Sequence, residues 1–452
     1  MLKGVPYITN RKEMRDLERF SDALSKMYAI LLAGCLFVSQ VGAVPFSLAA
    51  DDLSLEGPNN LWVEIYNYTS VLDHIDISRT EGGYIISGLY YNYSSSDPYR
   101  GIIIEVSSNG SVLLQEYLGG GNYDEIQSIV QCSNGDFVIV GNTESFGANE
   151  TGDPLPKLWL VRLSNNGSIL WNKWYDNIYG GSSLAECHDG SFIISSATPH
   201  LVHVDENGSL LWSKSYQDWD ISEARSVVEC TDGGFAFAGI VWTMTTSDVE
   251  SWAWLVRTDS DGTMLWNQTY DGSADSLIQC SDGGFAIAGE SEDWTPQLLR
   301  TNEDGDLLWA KTYASAYVPG RAHSVVQCSD GGFGIAGSID ESWSSLVSDA
   351  LFLRTDEEGN ELWRSICSSS EEDYASSLVL SNDGFAVVGT TLQDDFSSKA
   401  FLWVLTDYYV PPTPTNGGPL LGVTVIVSLG ICTLFAIIIW NQKKKVDYSP
   451  EL

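Results

Sequence analysis

Seven times along this chain an aromatic residue follows closely on glycine and opens a short apolar run: Tyr84, Phe137, Phe192, Phe235, Phe285, Phe333 and Phe385. The intervals are 53, 55, 43, 50, 48 and 52 residues. Such a period demands a repeat architecture, because one copy is too small to bury its own core and must stack on its neighbours.

Each copy holds four strand signals. Strand a is a run such as Ser324 to Cys328, and strand b one such as Phe285 to Ala288. Strand c is typified by Trp254 to Thr258, and strand d by Leu265 to Tyr270. All are short, rich in β-branched and aromatic residues, and bounded by Gly and Asp. Ser-Asp-Gly-Gly joins a to b and Asp-x-Asp-Gly joins c to d, with glycine supplying the positive φ of a hairpin turn. Four antiparallel strands in seven copies predict an all-β fold, a seven-bladed β-propeller. The phase adds a second argument. The array starts on a d-type strand, Leu61 to Tyr66, and ends on a c-type strand, Phe401 to Leu405. The N-terminal strand is therefore expected to complete the last blade and close the ring, which removes an open sheet edge.

Length variation collects in the b–c and d–a connections, which share one face of a propeller. Variable loops on a rigid scaffold are where binding is expected. The b–c and d–a loops carry aromatic rings beside acids and amides. Tyr91, Tyr93, Trp219, Trp242, Trp252, Trp294, Tyr317 and Trp343 are the candidate binding residues, since exposed rings stack on sugars or anchor peptides.

The formal charge of -37 repels phosphate backbones and excludes a nucleic-acid partner. Cys132, Cys187, Cys230, Cys280 and Cys328 each stand five residues before the repeat aromatic. Equivalent positions in separate repeats are too far apart to bridge, so these read as small core residues. The acids of the c–d turns, as in Asp259-Ser260-Asp261-Gly262, read as turn formers. His200 and His203, three apart on extended chain, point to opposite faces and make no metal pair. No catalytic constellation, metal site or cofactor is called for. Ser128, Ser183, Ser226, Ser276, Ser324 and Ser376 form an expected ring of small residues around the axis.

The ends suggest export. Tyr28 to Ala50 is mostly apolar and finishes in small residues, with Ser47-Leu48-Ala49 matching a signal-peptidase site. An uncleaved signal anchor and a lipoprotein box at Leu32-Ala33-Gly34-Cys35 stay open. Leu420 to Trp440 is 21 residues without a charge, about 31 Å as a helix, enough to span a bilayer. Lys443-Lys444-Lys445 follows and marks the C-terminal side as cytoplasmic. Seven Asn-x-Ser/Thr sequons, at Asn67, Asn92, Asn109, Asn149, Asn166, Asn207 and Asn267, suit an outside location.

The blades resemble those of bacterial and archaeal surface-propeller repeat proteins, which carry Asp-Gly-Gly-Phe/Tyr and Gly-x-x-Leu-Trp in every copy. They are more loosely similar to quinoprotein-type repeats. The first resemblance spans Leu61 to Thr406 and implies the fold, not a ligand. Quinoprotein dehydrogenases commonly dock their quinone against a vicinal disulfide and calcium, and no adjacent cysteine pair occurs here.

The expected organisation is a charged segment and signal peptide or anchor over 1–50, a linker over 51–60, and the propeller over 61–406. A Pro-rich stalk over 407–419, a transmembrane helix over 420–440 and a basic tail over 441–452 complete it. The expected function is a single-pass membrane protein with its propeller outside, binding a glycan or protein through the outward loops. An extracytoplasmic quinoprotein-like or glycosidase-like enzyme, and a structural component of the envelope, are the alternatives.

Overall fold

The computed structural model describes residues 54–57, 59–66, 71–91, 99–146, 156–216, 221–244, 249–313, 318–340, 347–392 and 398–407. They form seven antiparallel sheets. Blades 1 to 6 occupy 71–118, 124–179, 181–215, 221–271, 276–312 and 320–368. Blade 7 takes its a, b and c strands from Asp373–Leu380, Gly384–Leu392 and Ser398–Thr406, and its outer strand from Asn60–Tyr66. Trp62 pairs with Val404 and Val63 with Trp403, so the ring closes between the two ends of the repeat array as the phase requires.

Seven apolar clusters lie between neighbouring blades, one for each pair. The cluster that joins Ile77, Ile86 and Ile104 of blade 1 to Ala386, Val388 and Leu402 of blade 7 is the seam of the ring. The repeat aromatics are the bulk of this core. Phe192, Phe285, Phe333 and Phe385 are fully buried, and removing such a ring costs about 3–5 kcal/mol.

The motif positions that recur from blade to blade are explained by contacts across blades. The outer-strand tyrosines donate to the carbonyl of the next blade's c–d turn glycine: Tyr175 to Gly208, Tyr216 to Gly262, Tyr270 to Gly305 and Tyr313 to Gly359. Tyr66 does the same to Gly110 across the seam. The indole four residues earlier covers the same glycine, and a Cβ on Gly262 would stand 2.7 Å from Trp212. The strand-c arginines reach back to the a–b turn acids, as in Arg257 to Asp232, Arg300 to Asp282 and Arg354 to Asp330. These acids thus tie turn to strand, and the pattern Asp-Gly-Gly with Leu-Val-Arg-Thr is one structural unit.

Two details differ from the sequence reading. Ser54–Glu56, within the stretch expected as a linker, forms a fifth strand on blade 6, with Leu55 opposite Cys367. The outer strand of blade 6 carries Cys367 where blades 2, 3, 4, 5 and 7 carry the latching tyrosine, and Leu55 pairs opposite it. In the serine ring, the blade 7 member is Ser377 and not Ser376. Ser377 pairs with Val388 while Ser376 is bulged out of register. The ring works as a chain of interblade bonds, with Ser226, Ser276 and Ser324 accepting from the N–H of Leu277, Val325 and Leu378. Blade 1 places Asp76 there, which receives Ser377 Oγ at 2.6 Å and the Ile129 N–H at 2.9 Å.

The six described cysteines are buried free thiols. Burial pushes Cys132, Cys187, Cys230, Cys280 and Cys328 up to about 12, so all are inert thiols at neutral pH. Residues 420–440 lie outside the described residues, among which no helix is long and apolar enough to cross a membrane.

Candidate functional site

The turns show where the molecule departs from its own rule. Eleven hairpin turns share one geometry, beginning at Cys132, Cys187, Cys230, Cys280, Cys328, Ser107, Ser164, Asp205, Asp259, Asn302 and Asp356. In each, residue i donates its N–H to the carbonyl of i+4 and accepts from the N–H of i+3. Residue i+3 is a glycine at positive φ every time, as a type I turn with a following bulge requires. The b–c connection of blade 5 repeats the same bonds, Ser291 to Thr295 and Trp294 back to Ser291. Here i+3 is Trp294, at φ +60°. A left-handed conformation costs an L-residue about 1–2 kcal/mol, and strain of this kind concentrates at functional sites. The ring is not tucked away: Trp294 is 60% exposed.

Trp294 lines a cleft of about 640 Å³ on the b–c and d–a face, between blades 4 and 5. That volume falls within the usual range for small-molecule sites. Trp242, at the end of strand b of blade 4, and Trp252, near the start of its strand c, line the same cleft. Three of the eight candidate binding residues therefore converge. Tyr91 goes elsewhere: it stacks on Tyr99 at 4.1 Å, and Tyr99 meets Tyr123 at 5.2 Å over blades 1 and 2. Tyr93, Trp219, Tyr317 and Trp343 lie outside the described residues. Asn109, Asn166 and Asn207 are exposed in c–d turns, and Asn267 is exposed on the outer strand of blade 4. Asn267 also accepts from the buried Trp254 indole, so it has a structural task. Asn67, Asn92 and Asn149 lie outside the described residues.

The floor of the cleft is charged, a feature that the sequence reading missed. The innermost strands are bulged just before each ring serine, at Gln127 in blade 2, Ser182 in blade 3, Arg225 in blade 4 and His323 in blade 6. Asp275 holds that place in blade 5, its N–H bonded to Ala288. A bulge re-aims its side chain, and in blades 4, 5 and 6 the re-aimed residues are charged or titratable. Arg225 reaches Asp275 at 2.8 Å. Arg321, two residues before the blade 6 bulge, grips both oxygens of Asp275, with Nη2 at 2.6 Å from Oδ1. Arg225 is held from its other side by Glu223 at 2.9 Å. The signal in the sequence was the column before the ring serine, which reads Arg, Asp, His in three successive repeats.

The electrostatics follow from these contacts. Burial works against the Asp275 charge, but Arg321 and then Arg225 outweigh it and hold the carboxyl below its usual value. Burial pushes His323 down to about 4 against the opposing pull of Asp275, so its imidazole is neutral at pH 7. Burial raises Glu290, with Arg321 only partly offsetting it. Glu290 Oε2 and Arg321 Nη1 stand 3.9 Å apart, too far for a direct hydrogen bond. Among the described residues no group of three or more His, Cys, Asp and Glu side chains could hold a metal ion.

Fold and site together define a closed seven-bladed β-propeller with a tryptophan-lined, charge-floored cleft on its variable face. No protein-family model matches the chain, and no curated protein matches it. Among solved structures, a streptogramin B lyase is similar at TM-score 0.50 and 12% identity, covering 77% of this chain and 98% of its own. A catalytically inactive virginiamycin B lyase from Staphylococcus aureus with quinupristin gives 0.48 and 10%, over 78% and 100%. A protein of unknown function from Bacteroides caccae gives 0.42 and 12%, over 64% and 97%. At these identities the likeness is one of fold.

Proposed function

We propose that this chain is a binding module of the cell surface, and that the cleft over blades 4 and 5 is where its ligand sits. The observation that carries the reading is the convergence of Trp242, Trp252 and Trp294 on one cleft, with Trp294 held in a conformation that costs stability. Rigid aromatic anchors around a few fixed polar groups are what a specific ligand needs.

In this reading residues 420–440 cross the membrane with the lysines inside and the propeller outside, and the apolar 28–50 segment is removed on export. N-terminal sequencing of the mature protein should begin near Asp51, and a start at or before Met27 contradicts that removal.

The test of binding uses the full chain in detergent micelles, in pull-downs from extracellular extracts and on glycan arrays. The double variant Trp242→Ala, Trp294→Gly should lose most capture, and undiminished capture rules the cleft out. A glycosidase-like activity is the second reading, favoured by one observation: Glu290 is pushed up and Asp275 held down within one site, the separation that acid–base pairs use. Turnover of chromogenic glycosides that Glu290→Gln abolishes would establish it.

A further inference from the structure

We infer that the cleft takes an uncharged saccharide, bound by stacking on Trp294 and bridged through one hydroxyl between Arg321 and Glu290. The inference rests on the binding reading above and narrows it to a ligand class.

Three observations lead there. First, Arg321 Nη1 and the Glu290 carboxylate have no hydrogen-bond partner among the described residues and stand 3.9 Å apart. One hydroxyl oxygen at about 2.8 Å from each accepts from the guanidinium and donates to the carboxylate. A group that is donor and acceptor at once is what this gap fits, and a sugar hydroxyl is such a group. A bare ammonium satisfies the carboxylate but opposes the guanidinium. Second, the balance of charge disfavours an anion. Glu250, Glu290 and Glu292 line the cleft against Arg225 and Arg321, and Asp275 already engages both arginines. Third, Trp242 and Trp294 present their rings to the cleft. Neither Trp242 nor Trp294 has a ring partner among the described residues. The Trp294 carbonyl accepts the Gly320 N–H at 2.8 Å, which fixes its turn beside Arg321. An indole face presents a flat apolar surface to the C–H face of a pyranose ring.

The experiment is a titration of the full chain in micelles against three sets of oligosaccharides: neutral, carboxylated or sulfated, and amino-substituted. Neutral sugars should bind, the acidic set should bind at least tenfold more weakly, and Trp242→Ala should abolish the signal. Glu290→Gln should weaken neutral-sugar binding about tenfold while the thermal midpoint stays within a degree or two. Asp304→Asn, in a c–d turn on the other face, should change nothing. Preference for the acidic or amino set overturns the ligand class but leaves the cleft as a binding site. Neutral-sugar binding indifferent to Glu290→Gln overturns the bridge. Absence of any sugar binding, with protein capture still lost in the double tryptophan variant, overturns this inference and keeps the broader reading.

Discussion

The two faces of the propeller use the same hairpin turn for opposite ends. On the a–b and c–d face the turn recurs eleven times with glycine at the left-handed position, and nine of these turns are latched by a neighbouring tyrosine or clamped by an arginine. On the b–c and d–a face it occurs in blade 5 with tryptophan at that position, its carbonyl held by the Gly320 N–H and not by a tyrosine hydroxyl. One face is built so that local preference, packing and hydrogen bonding agree. The other sets local preference aside where a ring is needed in a cleft, and sets three charged or titratable residues on bulges beneath it. Agreement across levels is what makes a fold stable, and local departures mark function.

The contrast can be broken from the charged side first. Asp275→Ala leaves two guanidinium groups without their shared carboxylate, and should cost about 4 kcal/mol in chemical denaturation. A loss below about 1 kcal/mol would mean that the cluster is solvated and does not define the cleft floor. Acid should act almost as strongly. His323 titrates at about 4 in the folded chain against 6.5 unfolded, so the unfolded chain takes up the proton first as pH falls. The stability His323 contributes is complete above about pH 6.5 and is lost down to about pH 4, about 3 kcal/mol in all. His323→Gln should flatten that slope. Asp275, held low, extends the acid loss below pH 4, while Glu290, held high, works weakly against it.

The other face should respond to a smaller insult with the ordinary sign. Gly262→Ala puts a Cβ at positive φ and against Trp212, and should cost about 2 kcal/mol. Removing the hydroxyl that caps the next turn, by Tyr270→Phe, should cost about 1 kcal/mol.

What could be read from sequence, and what could not, divides along the same line. The ring, its seven blades and its closure were legible because the period is long and each copy carries its own glycine and aromatic marks. Trp62 and Trp403 met as their strand types required. The fifth strand on blade 6 was not legible, because Ser54-Leu55-Glu56 is three residues with no period to detect. The bulges were not legible either. One unpaired residue shifts the alternation of faces, and two adjacent serines give no sign which is displaced, so Ser376 was placed where Ser377 stands. That same shift hid Arg225, Asp275 and His323, which stand in the places where the strand falls out of register. The loop aromatics were legible as a set, but only coordinates separate the tyrosines that pack on each other from the tryptophans that line a gap.

The smallest expected change in stability is also the most decisive, because its sign is unusual. Trp294→Gly restores the residue that the turn prefers. Thermal unfolding and ligand binding measured on the same sample should move apart: stability rises by about 1 kcal/mol, and capture of the ligand is lost. A fall in stability, or capture that survives the substitution, would contradict the claim that this face gives up local stability to hold a binding cleft.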